Sequence, residues 1–164
     1  NPKLKGIEAP TGSLGHGLPI ACGMALSAKI LNMKFRTFVL LGDGECNEGT
    51  VWESALFASS KNLNNLIAIV DFNGWQGIGK TRSILNLSPF AEKWKSFGWN
   101  VRIVNGHNHK QLYNNLKKKF SKPTVLIANT VKGKGVSFME DDNNWHYRIP
   151  NVEEVKKAKK ELGL

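Results

Sequence analysis

The sequence predicts a three-layer α/β domain built on a mainly parallel sheet, and three observations carry that expectation. Short runs rich in Val, Ile and Leu, with little polar alternation, recur at 37–41, 66–72, 101–104 and 124–131. Strands of that kind are buried on both faces, as in parallel sheets covered by helices. Stretches of helical character separate them, and strand and helix in alternation make a layered α/β domain. Glycine-bearing loops follow the strands, at the end of an open sheet where ligands bind.

Taken in order, a helix is expected over 17–31, then the strand at 37–41, which runs into Gly42-Asp43-Gly44-Glu45. A helix over 48–61 leads to the strand at 66–72 and the turn Asn73-Gly74-Trp75. Helices over 89–97 and 110–120 flank the strand at 101–104. The strand at 124–131 empties into Lys132-Gly133-Lys134-Gly135, and an amphipathic helix closes the chain over 152–162. Glycine in each of these loops lets the backbone approach a ligand or adopt conformations that a β-carbon forbids. No internal repeat, low-complexity tract or linker divides the 164 residues, so one domain is expected over 1–164.

Composition narrows the function. No stretch approaches the roughly 20 apolar residues of a membrane span, and Asn1-Pro2-Lys3-Leu4-Lys5 has no apolar leader behind it. A cytoplasmic protein without membrane contact is expected. Cys22 and Cys46 have no CxxC partner, which argues for reduced thiols over a disulfide framework or a zinc site. The net charge of +10 raises polyanionic partners. It is carried mainly by lysines clustered at 117–119 and 156–160, the pattern of solvated helix faces. The arginines, Arg36, Arg82, Arg102 and Arg148, are scattered, so nucleic acid is not expected as a partner.

Two phosphate sites compete. Gly74-Trp75-Gln76-Gly77-Ile78-Gly79-Lys80-Thr81 fits the phosphate-loop pattern G-x-x-x-x-G-K-[ST] behind an expected strand. A phosphate loop needs a helix beginning at its Lys-Thr pair, whereas the sequence here runs to Pro89 without a helical period. The other site begins at Asp43, a strand-end carboxylate between glycines, and continues thirty residues on at Asn73, at the end of the next strand. Adjacent parallel strands would bring the two together, with a loop carbonyl near Trp75 as a third oxygen for magnesium. Taken singly, Asp43 and Asn73 are better explained as turn formers.

Taken together, Gly42-Asp43-Gly44-Glu45-Cys46-Asn47-Glu48-Gly49 and Asn73 resemble the thiamin-diphosphate signature of the transketolase family. The resemblance extends to Thr11-Gly12-Ser13-Leu14-Gly15-His16-Gly17, Phe97-Gly98-Trp99, Asn105-Gly106-His107 and the stretch from Thr130 through Glu140 to Trp145-His146. It implies a thiamin-diphosphate-binding fold and the following site. Asp43, the Asn73 side-chain oxygen and the Trp75 carbonyl would ligate Mg²⁺ or Ca²⁺. Gly42 and Gly44, with Glu45 in the same run, would lie against the diphosphate, and Gly12 and Leu14 against the cofactor's ring region. His146 would reach the diphosphate and the mouth of the active site. Glu48 would join a carboxylate network across a subunit interface, although a first-turn helix glutamate is also favoured by the macrodipole. Glu48 and His146 are thus the expected catalytic residues; Cys46 lacks a histidine partner and is expected to carry no chemistry.

The resemblance also implies what the chain lacks. Family members carry Lys-Gly-His and Gly-His-Pro motifs upstream, so an N-terminally truncated diphosphate-binding domain is expected. The glutamate that activates the cofactor comes in the family from a pyrimidine-binding domain. The chain therefore resembles the diphosphate-binding subunit of a split transketolase, in a homo- or hetero-oligomer, moving a two-carbon ketol unit between sugar phosphates. Ile78, where many relatives have an acid, and the Trp-His-Tyr-Arg ending point to an unusual donor or acceptor. The alternatives are a deoxyxylulose-phosphate synthase-like enzyme, a non-catalytic partner-binding domain and a phosphate-loop nucleotide-binding protein.

Overall fold

The computed structural model describes residues 4–164, so the first three residues of the expected leaderless start lie outside the described residues. The elements run α1 (Gly17–Ile30), β1 (Thr37–Gly42), α2 (Gly49–Ser60), β2 (Leu66–Phe72), β3 (Trp75–Gln76), β4 (Gly79–Lys80) and α3 (Thr81–Ile84). They continue with α4 (Phe90–Ser96), β5 (Asn100–Asn105), α5 (His109–Leu116), β6 (Thr124–Asn129) and α6 (Val152–Leu162). The four apolar runs become β1, β2, β5 and β6, paired in parallel in the order β1-β2-β6-β5. This is the expected α/β architecture with a parallel sheet.

Register decides which side chains face which layer. Val39, Leu41, Leu66, Ala68, Val70, Val125 and Ile127 share one face and pack with Leu18, Ala21 and Ala25 of α1, Val51 and Ala55 of α2, and Phe90 and Trp94 of α4. The connection from β5 back to β6 runs the other way along the sheet, so a right-handed crossover sets α5 on the opposite face. There Ile67, Leu126 and Ala128 are buried, while Phe38 and Leu40 on the outer strand β1 remain 45% and 71% exposed. The third layer therefore covers the centre of the sheet and leaves the β1 side open.

Two expected elements run shorter, each for a tertiary reason. The helix expected to 120 stops at Leu116, where Arg36 donates to the Leu116 and Lys118 carbonyls that would otherwise lack partners. The strand expected to 131 stops at Asn129, opposite Phe72 where its partner β2 ends; Thr130 N–H makes the last ladder bond, to the Phe72 carbonyl, and its hydroxyl turns to Asp71 Oδ1. The small hairpin β3–β4 and the single turn α3 have no counterpart in the expected elements.

The aromatic centre lies under α2 and α4. Trp94 is fully buried, with Trp99 at 4.9 Å, Trp52 at 5.1 Å and Phe90 at 6.2 Å between ring centroids. Trp99 Nε1 donates to the Ala55 carbonyl at 2.8 Å and so ties the start of β5 to α2, whereas Trp94 Nε1 has no partner among the described residues. Trp94→Ala is expected to destabilise the chain by about 3–5 kcal/mol. Trp94→Phe, which loses area but no hydrogen bond, should cost less than half of that in urea unfolding.

Candidate functional site

β1 and β2 end side by side, with Gly42 opposite Asp71, so the loops beyond them meet above the sheet. Asp43 starts a 3-10 turn (Gly44–Asn47) and is 1% exposed. Its Oδ1 accepts from Gly44 N–H at 2.9 Å; its Oδ2 accepts from Gly74 N–H at 2.9 Å and from the Thr81 hydroxyl at 3.0 Å. Burial is the leading influence on this carboxyl and pushes its pKa up, against those three hydrogen bonds; the charge of Asp71 adds to the rise. Among the described residues, no lysine, arginine or histidine forms an ion pair with Asp43 or Asp71.

The second loop folds back over Asp43. Gly74 takes φ +76°, a conformation that favours glycine, and this turns its N–H toward the Asp43 carboxylate. Asn73 Oδ1 accepts from Trp75 N–H at 2.8 Å, and its Nδ2 donates to Asp71 Oδ2 at 3.3 Å, which fixes the orientation of the amide. The structure thus brings Asp43, Asn73 and Trp75 to one strand-end cluster, as their spacing predicts.

Oxygen donors in this cluster suit a hard cation: one buried carboxylate without a counter-charge, one oriented amide oxygen and one loop carbonyl. The glycines leave room beside it. A β-carbon on Gly42 would find its nearest heavy atom 4.0 Å away, so open space adjoins that backbone. Gly44 is closed on the side where a β-carbon would project, 2.7 Å from Gln76 Cγ. The Gln76 amide packed there has its Nε2 buried without a partner among the described residues, an unused donor beside the cluster. These residues fit a divalent cation with a diphosphate.

Glu45 joins a third segment to the cluster. Its Oε1 accepts from Gly15 N–H at 3.0 Å and its Oε2 from Gly42 N–H at 3.2 Å. The carboxylate therefore braces the loop bearing Gly12 and Leu14 against the end of β1. Gly15, at φ +79°, lies against Glu48, whose Cβ would be 2.8 Å from a β-carbon there, and the Thr50 hydroxyl donates to the Gly15 carbonyl at 2.9 Å. Glu48 is exposed at the head of α2, and Leu14 is 58% exposed.

His146 lies against the hairpin. It lies in a 3-10 turn (Asn143–His146), exposed, with its ring edge-on to Tyr147 at 4.6 Å and its Cδ2 beside Gly77 in the β3–β4 turn. Asn143 Nδ2 donates to the Gly77 carbonyl at 3.1 Å. A cavity of about 480 Å³ opens there, lined by Gly77, Asn143, Asn144, Tyr147 and Arg148.

Sequence reasoning missed the groups that hold the hairpin in place. Asp141, at φ +53°, accepts from Trp75 Nε1 at 2.6 Å and from Lys80 Nζ at 2.7 Å, while Lys80 lies 3.6 Å over the Trp75 ring. These donors, Lys80 foremost, hold the Asp141 carboxyl below the usual range. Lys80 thus serves a strand of the hairpin, and only the four-residue α3 follows it, so the phosphate-loop pattern has no phosphate-loop structure. Both cysteines are free and buried; burial pushes the Cys22 thiol up to about 11 and the Cys46 thiol higher still, which keeps both protonated.

Comparison with known proteins adds relatives to this geometry. The family model described as "Transketolase, thiamine diphosphate binding domain" matches residues 1–164. An apulose-4-phosphate transketolase subunit of Actinobacillus succinogenes is 44% identical over 162 residues, 98% of this chain and 59% of that protein. The subunit of the same name from Phocaeicola vulgatus is 39% identical over 98% of this chain and 58% of its own length. A 6-deoxy-6-sulfo-D-fructose transketolase subunit, SqwG, of a Clostridium species is 41% identical over 82% of this chain and 50% of its own length. The chain therefore spans little more than half of these relatives. The crystal structure of transketolase from Campylobacter jejuni superposes with a TM-score of 0.89 at 30% identity, over 94% of this chain and 26% of that one.

Because the folded state holds the Asp43 proton more tightly than the unfolded chain, its burial penalises folding as pH rises. Relative to Asp43→Asn, the metal-free wild type is expected to lose stability as pH climbs from the ordinary carboxyl value of 3.8 through the raised pKa, and then to level off. Denaturant unfolding of both proteins at stepped pH checks this. A gap that does not change with pH would show that Asp43 carries no such penalty.

Proposed function

The chain belongs to the transketolase thiamine diphosphate-binding domain family, and from that premise we propose that it is the diphosphate- and metal-holding subunit of a split transketolase. The single observation that carries the proposal is the buried Asp43, hydrogen-bonded only to neutral donors and facing the Asn73–Trp75 turn. A desolvated carboxylate in that state is stabilised by a cation.

In this reading Asp43, Asn73 Oδ1 and the Trp75 carbonyl hold Mg²⁺, or Ca²⁺ in its place. Gly42 and Gly44 lie against the diphosphate, and Glu45 keeps their loop and the Gly12–Leu14 segment in register. Gly12 and Leu14 face the cofactor's ring region. When bound, thiamine diphosphate supplies the electron sink for breaking and remaking a carbon–carbon bond next to a ketose carbonyl. The chain's own residues orient that group and exclude alternatives to it. His146, beside Gly77, stands at the mouth, where it can hydrogen-bond an entering sugar hydroxyl or hold a proton on its ring. Glu48, exposed at the head of α2, faces outward as an interface carboxylate must.

The reaction is transfer of a two-carbon ketol unit from a ketose phosphate to an aldose phosphate. Tyr147, whose hydroxyl approaches Gly77, lines the cavity next to His146 and gives this chain its own shape at the mouth. The relatives' names, each that of one subunit of a transketolase, support a partner chain, and we assign to that partner the pyrimidine-binding domain. Apolar residues on the outward sides of α1 and α2, Ile20, Leu56 and Phe57, support docking of that partner there. A cytoplasmic setting follows from phosphorylated sugar substrates; no described helix is long and apolar enough to cross a membrane.

Calorimetric titration of thiamine diphosphate with Mg²⁺ into the chain, first by itself and then with its partner, is the test, with ATP as control ligand. Binding that tightens with the partner, ketol transfer by the pair, and loss of both in Asp43→Ala are expected. Preference for ATP, or a stable pair that transfers no ketol unit from any ketose phosphate, would refute the assignment.

A further inference from the structure

Thr81, the last residue of the phosphate-loop look-alike, stands outside the residues assigned to the metal and the diphosphate. Its side chain is buried, with the residue only 5% exposed, and its hydroxyl donates to Asp43 Oδ2 at 3.0 Å. Each oxygen of a carboxylate offers about two lone-pair sites. On Oδ2 both are filled, by Gly74 N–H at 2.9 Å and by the Thr81 hydroxyl. Oδ1 receives Gly44 N–H alone and keeps one site open.

The same residue also anchors the turn. Thr81 N–H donates to the Gly74 carbonyl at 2.9 Å, so Thr81 holds the carbonyl of Gly74 while Asp43 holds its N–H. Asp43, Gly74 and Thr81 close a ring of three hydrogen bonds at the foot of the hairpin. Resting on the metal site proposed above, we infer that Thr81 is a positioning residue that commits Asp43 Oδ1 to the divalent cation and sets the Asn73–Trp75 turn at its distance from it.

The chemistry differs from that of a phosphate loop, where the threonine hydroxyl meets the magnesium itself. Here the hydroxyl is spent as a donor to the carboxylate. Without it, Oδ2 regains a lone pair, the carboxylate can turn about its Cβ–Cγ bond, and two oxygens compete for one cation. Groups that orient a metal ligand in this way typically change metal affinity by about 10–100-fold when removed.

The experiment uses Mn²⁺ as the probe, with free Mn²⁺ counted by electron paramagnetic resonance, in the full chain with thiamine diphosphate and its partner. Thr81→Val, which keeps the volume and loses the hydroxyl, is expected to raise the Mn²⁺ Kd about tenfold, toward the low end of that range. Thr81→Ser should return it to within about threefold of wild type, a rescue that packing alone would not give. If the valine variant fails to fold, Thr81→Ala against Thr81→Ser makes the same comparison of hydroxyl and no hydroxyl. Wild-type affinity in Thr81→Val, or a serine variant as weak as the valine one, overturns the inference while leaving the metal site standing. Absence of Mn²⁺ binding in the wild type overturns the metal site, and this inference with it.

Discussion

Everything at the carboxyl edge of the sheet hangs on one buried carboxylate. Asp43 is a charged group in a place where charge is costly, and the chain meets that cost with donors from three separate points: Gly44 beside it, Gly74 beyond β2 and Thr81 beyond the hairpin. Each donor is a constraint on the backbone that carries it. The ends of β1 and β2, the Asn73 turn and the start of α3 are therefore one hydrogen-bonded unit. Parallel pairing of β1 with β2 supplies the proximity, and Asp43 converts it into fixed geometry.

A second layer of polar contacts builds outward from that unit. Glu45 reaches from the 3-10 turn to Gly15 and Gly42, and Asp141 reaches from the far loop to Trp75 and Lys80. The loop after β6 is itself anchored by α6, where Glu161 accepts from the Ser137 backbone and hydroxyl at 2.6 and 2.8 Å. The Ser137 bonds hold the Glu161 carboxyl below its usual range, and the contact is exposed. The terminal helix thus acts on the site at two removes, through the loop and then the hairpin, without touching Asp43 or Asn73.

Legibility from sequence followed the range of the interaction that decides each feature. Strands β1, β2, β5 and β6 were readable because each is a continuous apolar run, although burial on both faces holds only for the central β2 and β6 and not for β1 and β5 at the edges; Asp43 and Asn73 stand where two of these runs stop. The ends of α5 and β6 were misplaced because they are set by Arg36 and by the end of the partner strand β2 at Phe72, both remote in the chain. Two-residue strands have no periodicity to detect, which hid the β3–β4 hairpin. Thr81 looked like part of a phosphate loop because its true partner lies 38 residues earlier, and local pattern cannot show that. Asp141 gave no signal at all: a lone acid in a loop becomes meaningful only when Trp75 and Lys80 arrive against it.

Phe38 and Leu40 stand on one face of an outer strand, and among the described residues no layer covers them. A sheet face of that kind wets poorly, and β1 itself presents unpaired backbone groups at the edge of the described sheet. Handled by itself at high concentration, a chain with such a face is expected to self-associate, since collisions that bury Leu40 against another Leu40 gain free energy. Choices of buffer, salt and co-expression decide how much of a preparation stays dispersed, and light scattering against concentration is as informative about this surface as any assay is about the site.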